Sequence, residues 1–291
     1  MSVAPPPPVM SSPSHAGRPR ATSLPSGDDL SRRSYPPDRA GRGHLSISTW
    51  LLPPALLALL LGVWCLLASR YPSSVVPWPL QVWSSFVQSL RDGIFLPDLA
   101  TTAEEAFIGW AIGSAVALPL GYIIGRVLTL ERALAPYLAS SQAIPIIAIA
   151  PLLVQWTGFG LMSKVVVAGL ITFFPVMATT AFGIRSIDRD LRDVARVFGA
   201  GWRQTLFHLE LPAAARSIFA GEKIAAALAV TGAVVGEYVG ASQGLGYRIE
   251  FALQNFDMAL AFVGLVALMS LGAAAYAAVS LAERMVVTWT D

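Results

Sequence analysis

A charged segment between two apolar runs decides the fold of this chain. Residues 186–212 read SIDRDLRDVARVFGAGWRQTLFHLELP. Ser186 is the expected N-cap of a first helix, and Gly199 is its expected end. A second short helix is predicted over about 201–209, closed by Pro212. An apolar stripe recurs at helical spacing along the first helix: Ile187, Leu191, Val194 and Phe198.

The flanking runs, 164–184 and 217–240, are each long enough to cross a bilayer, which takes about 20 residues. Further apolar runs lie at 45–69, 104–126, 136–155 and 258–282. A turn or re-entrant segment is expected at 156–163. The chain of 291 residues is 55% hydrophobic and 13% charged, whereas soluble domains carry about 25% charged residues. These features predict an all-α polytopic membrane protein with six transmembrane helices in one domain, 45–285.

Positive charge gives the orientation of the six predicted helices. With the N-terminus inside, sixteen of the twenty Lys and Arg fall on the inner side, as the positive-inside rule requires. Both termini and the loop 185–216 are therefore expected in the cytoplasm. The segment 71–100 is expected outside, as an amphipathic helix on the membrane surface.

The first 44 residues differ in composition from the rest of the chain. They hold nine prolines and six arginines. Such a segment cannot bury enough apolar surface to offset its ordering entropy. We expect residues 1–44 to form a disordered cytoplasmic tail.

Composition also argues against several functions. Cys65 is the only cysteine, and the three histidines are scattered, so no metal site or disulfide framework is expected. The net charge of +2 gives no indication of nucleic-acid binding. No catalytic constellation is visible, and an enzyme is not expected.

The 186–212 segment itself has two interpretations. It is either an interfacial helix that packs beneath its own bundle or a docking element that enters a groove in a soluble partner. Periodicity alone does not separate them.

The segment resembles the cytoplasmic "EAA" loop of ATP-binding-cassette (ABC) importer permeases. That pattern is Glu-Ala-Ala, three residues, Gly, nine residues, Ile-x-Leu-Pro. This chain has Asp193-Val194-Ala195, then Gly199, then Leu209-Glu210-Leu211-Pro212 at the same spacing. The runs IPIIAIAPL (144–152) and GAVVGEYVGA (232–241), followed by GLGY (244–247), are similar to the nitrate/sulfonate/taurine-type branch.

The resemblance implies a MetI-like type I importer permease fold in a bacterial inner membrane. It implies a second permease copy forming a homodimer, a cytoplasmic ATPase dimer that binds and hydrolyses ATP, and an extracytoplasmic substrate-binding protein. The permease itself has no cofactor. The residues implied in ATPase coupling are Leu191, Asp193, Val194, Ala195, Phe198, Gly199, Leu209, Leu211 and Pro212.

Ionisable groups inside a membrane are costly and often functional. Glu237 is a candidate pathway or gate residue, together with Tyr238, Pro145 and Gln142. Glu222–Lys223 is predicted to be an interfacial pair whose side chains extend toward water, and Glu104–Glu105 is interpreted similarly.

The implied substrate is a small organic solute or anion. It is either nitrate-, sulfonate- or taurine-like, or similar to a thiamine-pyrimidine precursor or riboflavin. The alternative function is a secondary transporter or channel without an ATPase partner. That alternative predicts ionisable residues in several helices and an inverted repeat.

Overall fold

A computed structural model describes residues 47–142 and 145–288, so the predicted tail 1–44 lies outside the described residues. The described part is helices joined by short turns. In chain order these are α1 (Ile47–Arg70), α2 (Pro79–Arg91), α3 (Phe95–Arg126), α4 (Leu128–Gln142), α5 (Ile146–Thr157), α6 (Leu161–Arg185), α7 (Arg189–Val197), α8 (Trp202–Thr205), a π-helical turn (Leu206–Glu210), α9 (Leu211–Gly240), α10 (Leu245–Gln254) and α11 (Met258–Val286).

The described residues divide between 58 and 59 into two units. The described part of the first unit is the beginning of α1. All other helices belong to the second unit, within which the contacts given below are made.

Helix α6 lies at the centre of the second unit, packed along its length against α3 and α9. Small residues permit this close approach. A Cβ at Gly113 of α3 would lie 2.6 Å from the carbonyl oxygen of Gly169, and one at Gly232 of α9 would lie 2.5 Å from the Cα of Ala168. Two glycine-lined faces therefore enclose α6, which leaves little room for larger side chains at these crossings.

Among the described residues, four helices are long and apolar enough to cross a membrane: Phe95–Arg126, Leu161–Arg185, Trp202–Gly240 and Met258–Val286. Two shorter apolar helices, Pro54–Arg70 and Ile146–Thr157, accompany them. Helix α3 begins at Phe95, before the predicted start at 104, because Asp98 and Thr102 are buried among polar partners.

The predicted helix over 136–155 is instead two helices, α4 and α5. Pro145 is the N-cap of α5, and a proline disfavours the helical conformation in the residue before it. The expected re-entrant segment at 156–163 is shorter, since only Gly158 to Gly160 leave the helical conformation. Both glycines have positive φ, 85° and 152°.

Pro212 does not end a helix, contrary to the sequence prediction. Residues Trp202–Gly240 form one continuous 39-residue helix. Proline lacks an N–H and its ring conflicts with the carbonyl four residues earlier. The wider π-helical turn directly before α9, in which the Leu211 N–H bonds to the Leu206 carbonyl, accommodates this proline.

Candidate functional site

Helix α7 is a short helix with defined ends. Its N-cap is Asp188, whose Oδ1 accepts from the Asp190 N–H at 3.0 Å. Ser186, the predicted N-cap, instead ends α6. Gly199 follows α7 with φ 76°, and the Ala200 N–H bonds to the Ala195 carbonyl at 3.0 Å. This Schellman arrangement confirms the predicted helix end at Gly199.

The predicted apolar stripe divides into a buried and an exposed part. Ile187 is buried against Ile184 and Ala214. Leu191 and Val194 are half exposed, and Phe198 is 86% exposed. Further large apolar side chains are exposed in the same loop: Val197, Trp202 and Phe207. We name the set Leu191, Val194 and Phe198 the apolar face of α7.

The other residues of the predicted coupling set lie differently. Asp193 is exposed and pairs with Arg196 at 3.4 Å. The remaining members, Ala195, Leu209, Leu211 and Pro212, are half-buried. They contribute less to the exposed surface than the apolar face does.

Glu210 is a buried residue that the sequence reasoning did not identify. Its side chain is fully buried, and its Oε2 accepts from the Tyr122 hydroxyl at 2.7 Å and from Arg126 Nη1 at 3.1 Å. The Nε of Arg192 lies 3.0 Å from its Oε1. We name these four residues the inner cluster: Tyr122, Arg126, Arg192 and Glu210.

The inner cluster joins three elements at one carboxylate. Tyr122 and Arg126 belong to α3, Arg192 to α7, and Glu210 to the π-helical turn. Arg192 also donates to the Ile184 carbonyl at the end of α6. The available sequence signal was a single carboxylate between two leucines, two residues before a proline.

A second cluster lies at the opposite end of α9. Glu237 is fully buried; its Oε1 accepts from Thr102 Oγ1 at 2.6 Å, and its Oε2 accepts from the Gly246 N–H at 2.5 Å. Asp98 accepts from the Gly244 N–H at 3.0 Å and from Arg248 Nε at 2.7 Å. We name this set the outer cluster: Asp98, Thr102, Glu237, Arg248 and the 244–246 backbone.

The candidate pathway residues lie in different surroundings. Glu237 holds the first turn of α10 against α3, and Tyr238 beside it is 38% exposed. Pro145 is exposed at the start of α5. Gln142 ends α4, and its side chain lies outside the described residues.

The prediction that the Glu222 and Glu105 side chains extend toward water is wrong, because both are buried. Glu222 and Lys223 do not pair with each other. Glu222 accepts from Trp110 Nε1 at 2.7 Å and from Ser114 Oγ at 2.8 Å, while Lys223 pairs with Glu283 of α11 at 2.8 Å.

Glu104 is exposed, but Glu105 is buried and pairs with Lys164 at 3.0 Å. Burial forces such groups to find partners on neighbouring helices, which adjacency in sequence does not reveal.

Comparison with known proteins supports one family. Residues 117–288 match the family model of the binding-protein-dependent transport system inner membrane component. The chain is 42% identical over 238 residues to the riboflavin transport system permease protein RibX of Chloroflexus aurantiacus, covering 81% of this chain and 89% of the relative.

Two further relatives have other substrates in their names. The formylaminopyrimidine transport permease protein ThiX of Halalkalibacterium halodurans is 34% identical over 82% of this chain and 96% of its own. A putative aliphatic sulfonates transport permease protein, SsuC of Bacillus subtilis, is 30% identical over 83% of this chain and 88% of its own.

The fold is similar to a chain of the MetNI methionine ABC transporter in an inward-facing conformation. The TM-score is 0.59 at 20% identity, over 67% of this chain and 97% of that chain. The family comprises transport permeases and is not an enzyme class. This chain belongs to the binding-protein-dependent transport system inner membrane component family and is the membrane-embedded permease of an ABC importer with a MetI-like fold.

Proposed function

We propose that the apolar face of α7 docks into a groove of the ATPase subunit. The observation that carries this proposal is the exposure of Leu191, Val194 and Phe198 on a helix whose other side is charged. Short amphipathic helices bind by inserting such faces into apolar grooves. Family membership implies an ATPase partner, which argues against the alternative function of a secondary transporter or channel.

The inner cluster transmits the movement of the docked helix to the bundle. Arg192 ties α7 to Glu210, which leads directly into α9, and the same carboxylate binds Arg126 of α3. A shift of α7 therefore acts on two long helices through one carboxylate. This gives the coupling loop a physical route to α3 and α9.

Gly199→Trp tests the docking proposal. A Cβ at Gly199 meets no atom within 4 Å, so the indole would project from the surface without a clash in the permease. We expect loss of ATPase co-purification and of uptake, with membrane insertion unchanged. Gly199→Asn controls for the strain at positive φ, since asparagine tolerates this conformation without the bulk. Survival of both activities in Gly199→Trp would exclude docking at this face.

We propose six transmembrane helices, four of which are the long helices. Helix α1 supplies the first crossing, and α4 with α5 supplies the third in two parts, supported by the apolar composition of α1 and α5. Both termini, the tail 1–44 and the loop 185–216 lie in the cytoplasm of a bacterial inner membrane, and the 71–100 segment lies outside, supported by the distribution of Lys and Arg.

The working assembly contains two copies of this permease, an ATPase dimer and an extracytoplasmic substrate-binding protein. The homodimer is proposed from the family resemblance. It is tested by cross-linking of two differently tagged copies in native membranes, and exclusive pairing with another permease would overturn it.

The substrate class is a neutral aromatic heterocycle rather than a sulfonate. The higher identity to RibX and ThiX than to SsuC supports this choice. Three cations of the described bundle also pair with carboxylates: Lys164 with Glu105, Lys223 with Glu283 and Arg248 with Asp98. A sulfonate passing through the membrane would need a positive partner that these side chains do not offer.

Uptake into proteoliposomes carrying the permease, its ATPase and its binding protein tests the substrate. Riboflavin, a formylaminopyrimidine and an aliphatic sulfonate are compared at equal concentration. ATP-dependent uptake of a heterocycle but not the sulfonate is expected. Sulfonate uptake alone would overturn the substrate class and leave the permease assignment intact.

A further inference from the structure

Helix α7 has two opposite faces, of which docking uses only one. At 3.6 residues per turn, Arg189, Arg192 and Arg196 lie on the side opposite to the apolar face. Arg192 shows that the basic side is turned toward the bundle, because it contacts Glu210 and the Ile184 carbonyl. The basic side therefore faces the ends of the long helices.

A cleft of about 290 Å³ lies on this basic side. Five arginines from three helices line it: Arg126 of α3, Arg185 of α6, and Arg189, Arg192 and Arg196 of α7. Gly125 and Leu128 complete the wall next to the bundle. The cleft thus combines guanidinium groups with an apolar edge formed by the end of α3 and the start of α4.

Among the described residues, carboxylates do not balance the charge of Arg126, Arg189, Arg192 and Arg196. Asp193 lies in the lining and pairs with Arg196, and Glu210 lies fully buried, paired with Arg126 and Arg192. Four guanidinium groups thus face two described carboxylates, and the cleft attracts anions. Guanidinium groups bind phosphate oxygens in pairs through their planar fork.

We propose that this cleft binds the phosphate of an anionic phospholipid from the cytoplasmic leaflet. The proposal rests on the orientation given under Proposed function, which puts the ends of α3 and α6 at that leaflet. Basic pockets between membrane helices on the cytoplasmic side suit lipid headgroups. The location favours a lipid over an acidic segment of the ATPase, because the ATPase is proposed to dock on the opposite face of α7.

Bound lipid would fill the space between α7 and the bundle. Its phosphate would hold Arg189 and Arg196 near Arg126, so α7 would be anchored by the headgroup as well as by Glu210. The coupling helix would thus respond to the charge of the surrounding membrane.

The test uses the purified full-length permease without its ATPase. It is placed in nanodiscs of phosphatidylcholine alone or with part of it replaced by phosphatidylglycerol, and retained lipid is measured by native mass spectrometry. Wild type is expected to retain phosphatidylglycerol selectively. Arg189→Gln/Arg196→Gln is expected to weaken retention about fivefold per arginine removed.

Two variants make this comparison specific. Arg284→Gln, at the exposed end of α11, removes a charge expected at the same leaflet outside the cleft and should leave retention unchanged. Arg189→Lys keeps the charge and removes the fork, so retention should fall less than in Arg189→Gln. Unfolding temperatures establish that all variants are folded.

Three results would overturn the proposal. Equal phosphatidylglycerol retention by wild type and the double variant would place the lipid elsewhere. Inorganic phosphate that binds in phosphatidylcholine nanodiscs and displaces phosphatidylglycerol would identify free phosphate as the ligand. Loss of ATPase binding by the double variant in phosphatidylcholine alone would assign the arginines to the protein interface. Because lipid retention is measured without the ATPase, its outcome is independent of the docking test with Gly199→Trp.

Discussion

The inner and outer clusters bury Glu210 and Glu237 at opposite ends of one continuous helix, and each carboxylate is fully buried. Glu210 is held by side chains of separate elements, including Arg192 of α7. Glu237 is held by Thr102 and by backbone N–H groups of the next helix, α10. Long side chains can follow a moving partner, whereas backbone donors at short range fix a position. We therefore call the inner cluster a joint, because its contacts allow movement, and the outer cluster a clamp, because its contacts fix a position.

The largest stability effect is expected beside the clamp, at Lys164. Lys164→Met leaves the Glu105 carboxylate, which is 1% exposed, without its cation. Removing one partner of a buried ion pair costs about 3–5 kcal/mol. Thermal unfolding in detergent measures this, and the double variant Lys164→Met/Glu105→Gln should recover most of the loss. Equal loss in both variants would show that pairing is not the cause.

The joint is tested by Glu210→Gln, which keeps the shape and removes the charge. We expect uptake per hydrolysed ATP to fall about 5- to 150-fold, corresponding to a coupling free energy of about 1–3 kcal/mol. ATPase co-purification should persist because the apolar face is intact. Glu283→Gln, which breaks the half-buried pair with Lys223, is the matched control. A similar fall in uptake per hydrolysed ATP in Glu283→Gln would show that general destabilisation of the permease causes the effect.

The clamp is tested by Glu237→Gln. An amide has one acceptor oxygen where the carboxylate has two, so either Thr102, which donates to Oε1, or the N–H groups of Gly246 and Tyr247, which donate to Oε2, lose their acceptor. The expected cost is about 1–3 kcal/mol of unfolding free energy, with the KM for uptake unchanged. A raised KM at normal stability would instead make Glu237 a pathway residue.

The smallest effect is expected at the exposed pair Asp193–Arg196 of α7. Exposed ion pairs contribute about 0–1 kcal/mol, so Asp193→Asn should leave unfolding and uptake close to wild type. A large loss of ATPase binding would show that Asp193 contacts the partner directly, as the family resemblance implies.

Much of the fold could be predicted from the apolar runs, because length and hydropathy suffice to locate long membrane helices such as α6 and α11. The loop motif likewise located α7 and its end at Gly199. The exposed apolar face was visible as a helical period. These signals are local, since each depends on residues within a few turns of one another.

The polar clusters could not be predicted because their partners are far apart in sequence. Glu237 binds Thr102, and Glu105 binds Lys164. Sequence adjacency instead suggested a Glu222–Lys223 pair, although neighbouring residues on a helix point in different directions. Pro212 was also misread, because the preceding π-helical turn that accommodates it has no simple sequence signature.

The continuous helix Trp202–Gly240 has a mechanical consequence. Its 39 residues correspond to a rod of about 58 Å, nearly twice the thickness of the hydrocarbon core of about 30 Å. With a clamp at its outer end, and in the orientation proposed above, such a rod would act as a lever whose free arm ends in the cytoplasm. A tilt of about 10° would move the Glu210 end by about 7 Å relative to Glu237. Conversely, if the ATPase moved α7 by several ångströms, the continuous helix would change its tilt in the membrane by only a small angle.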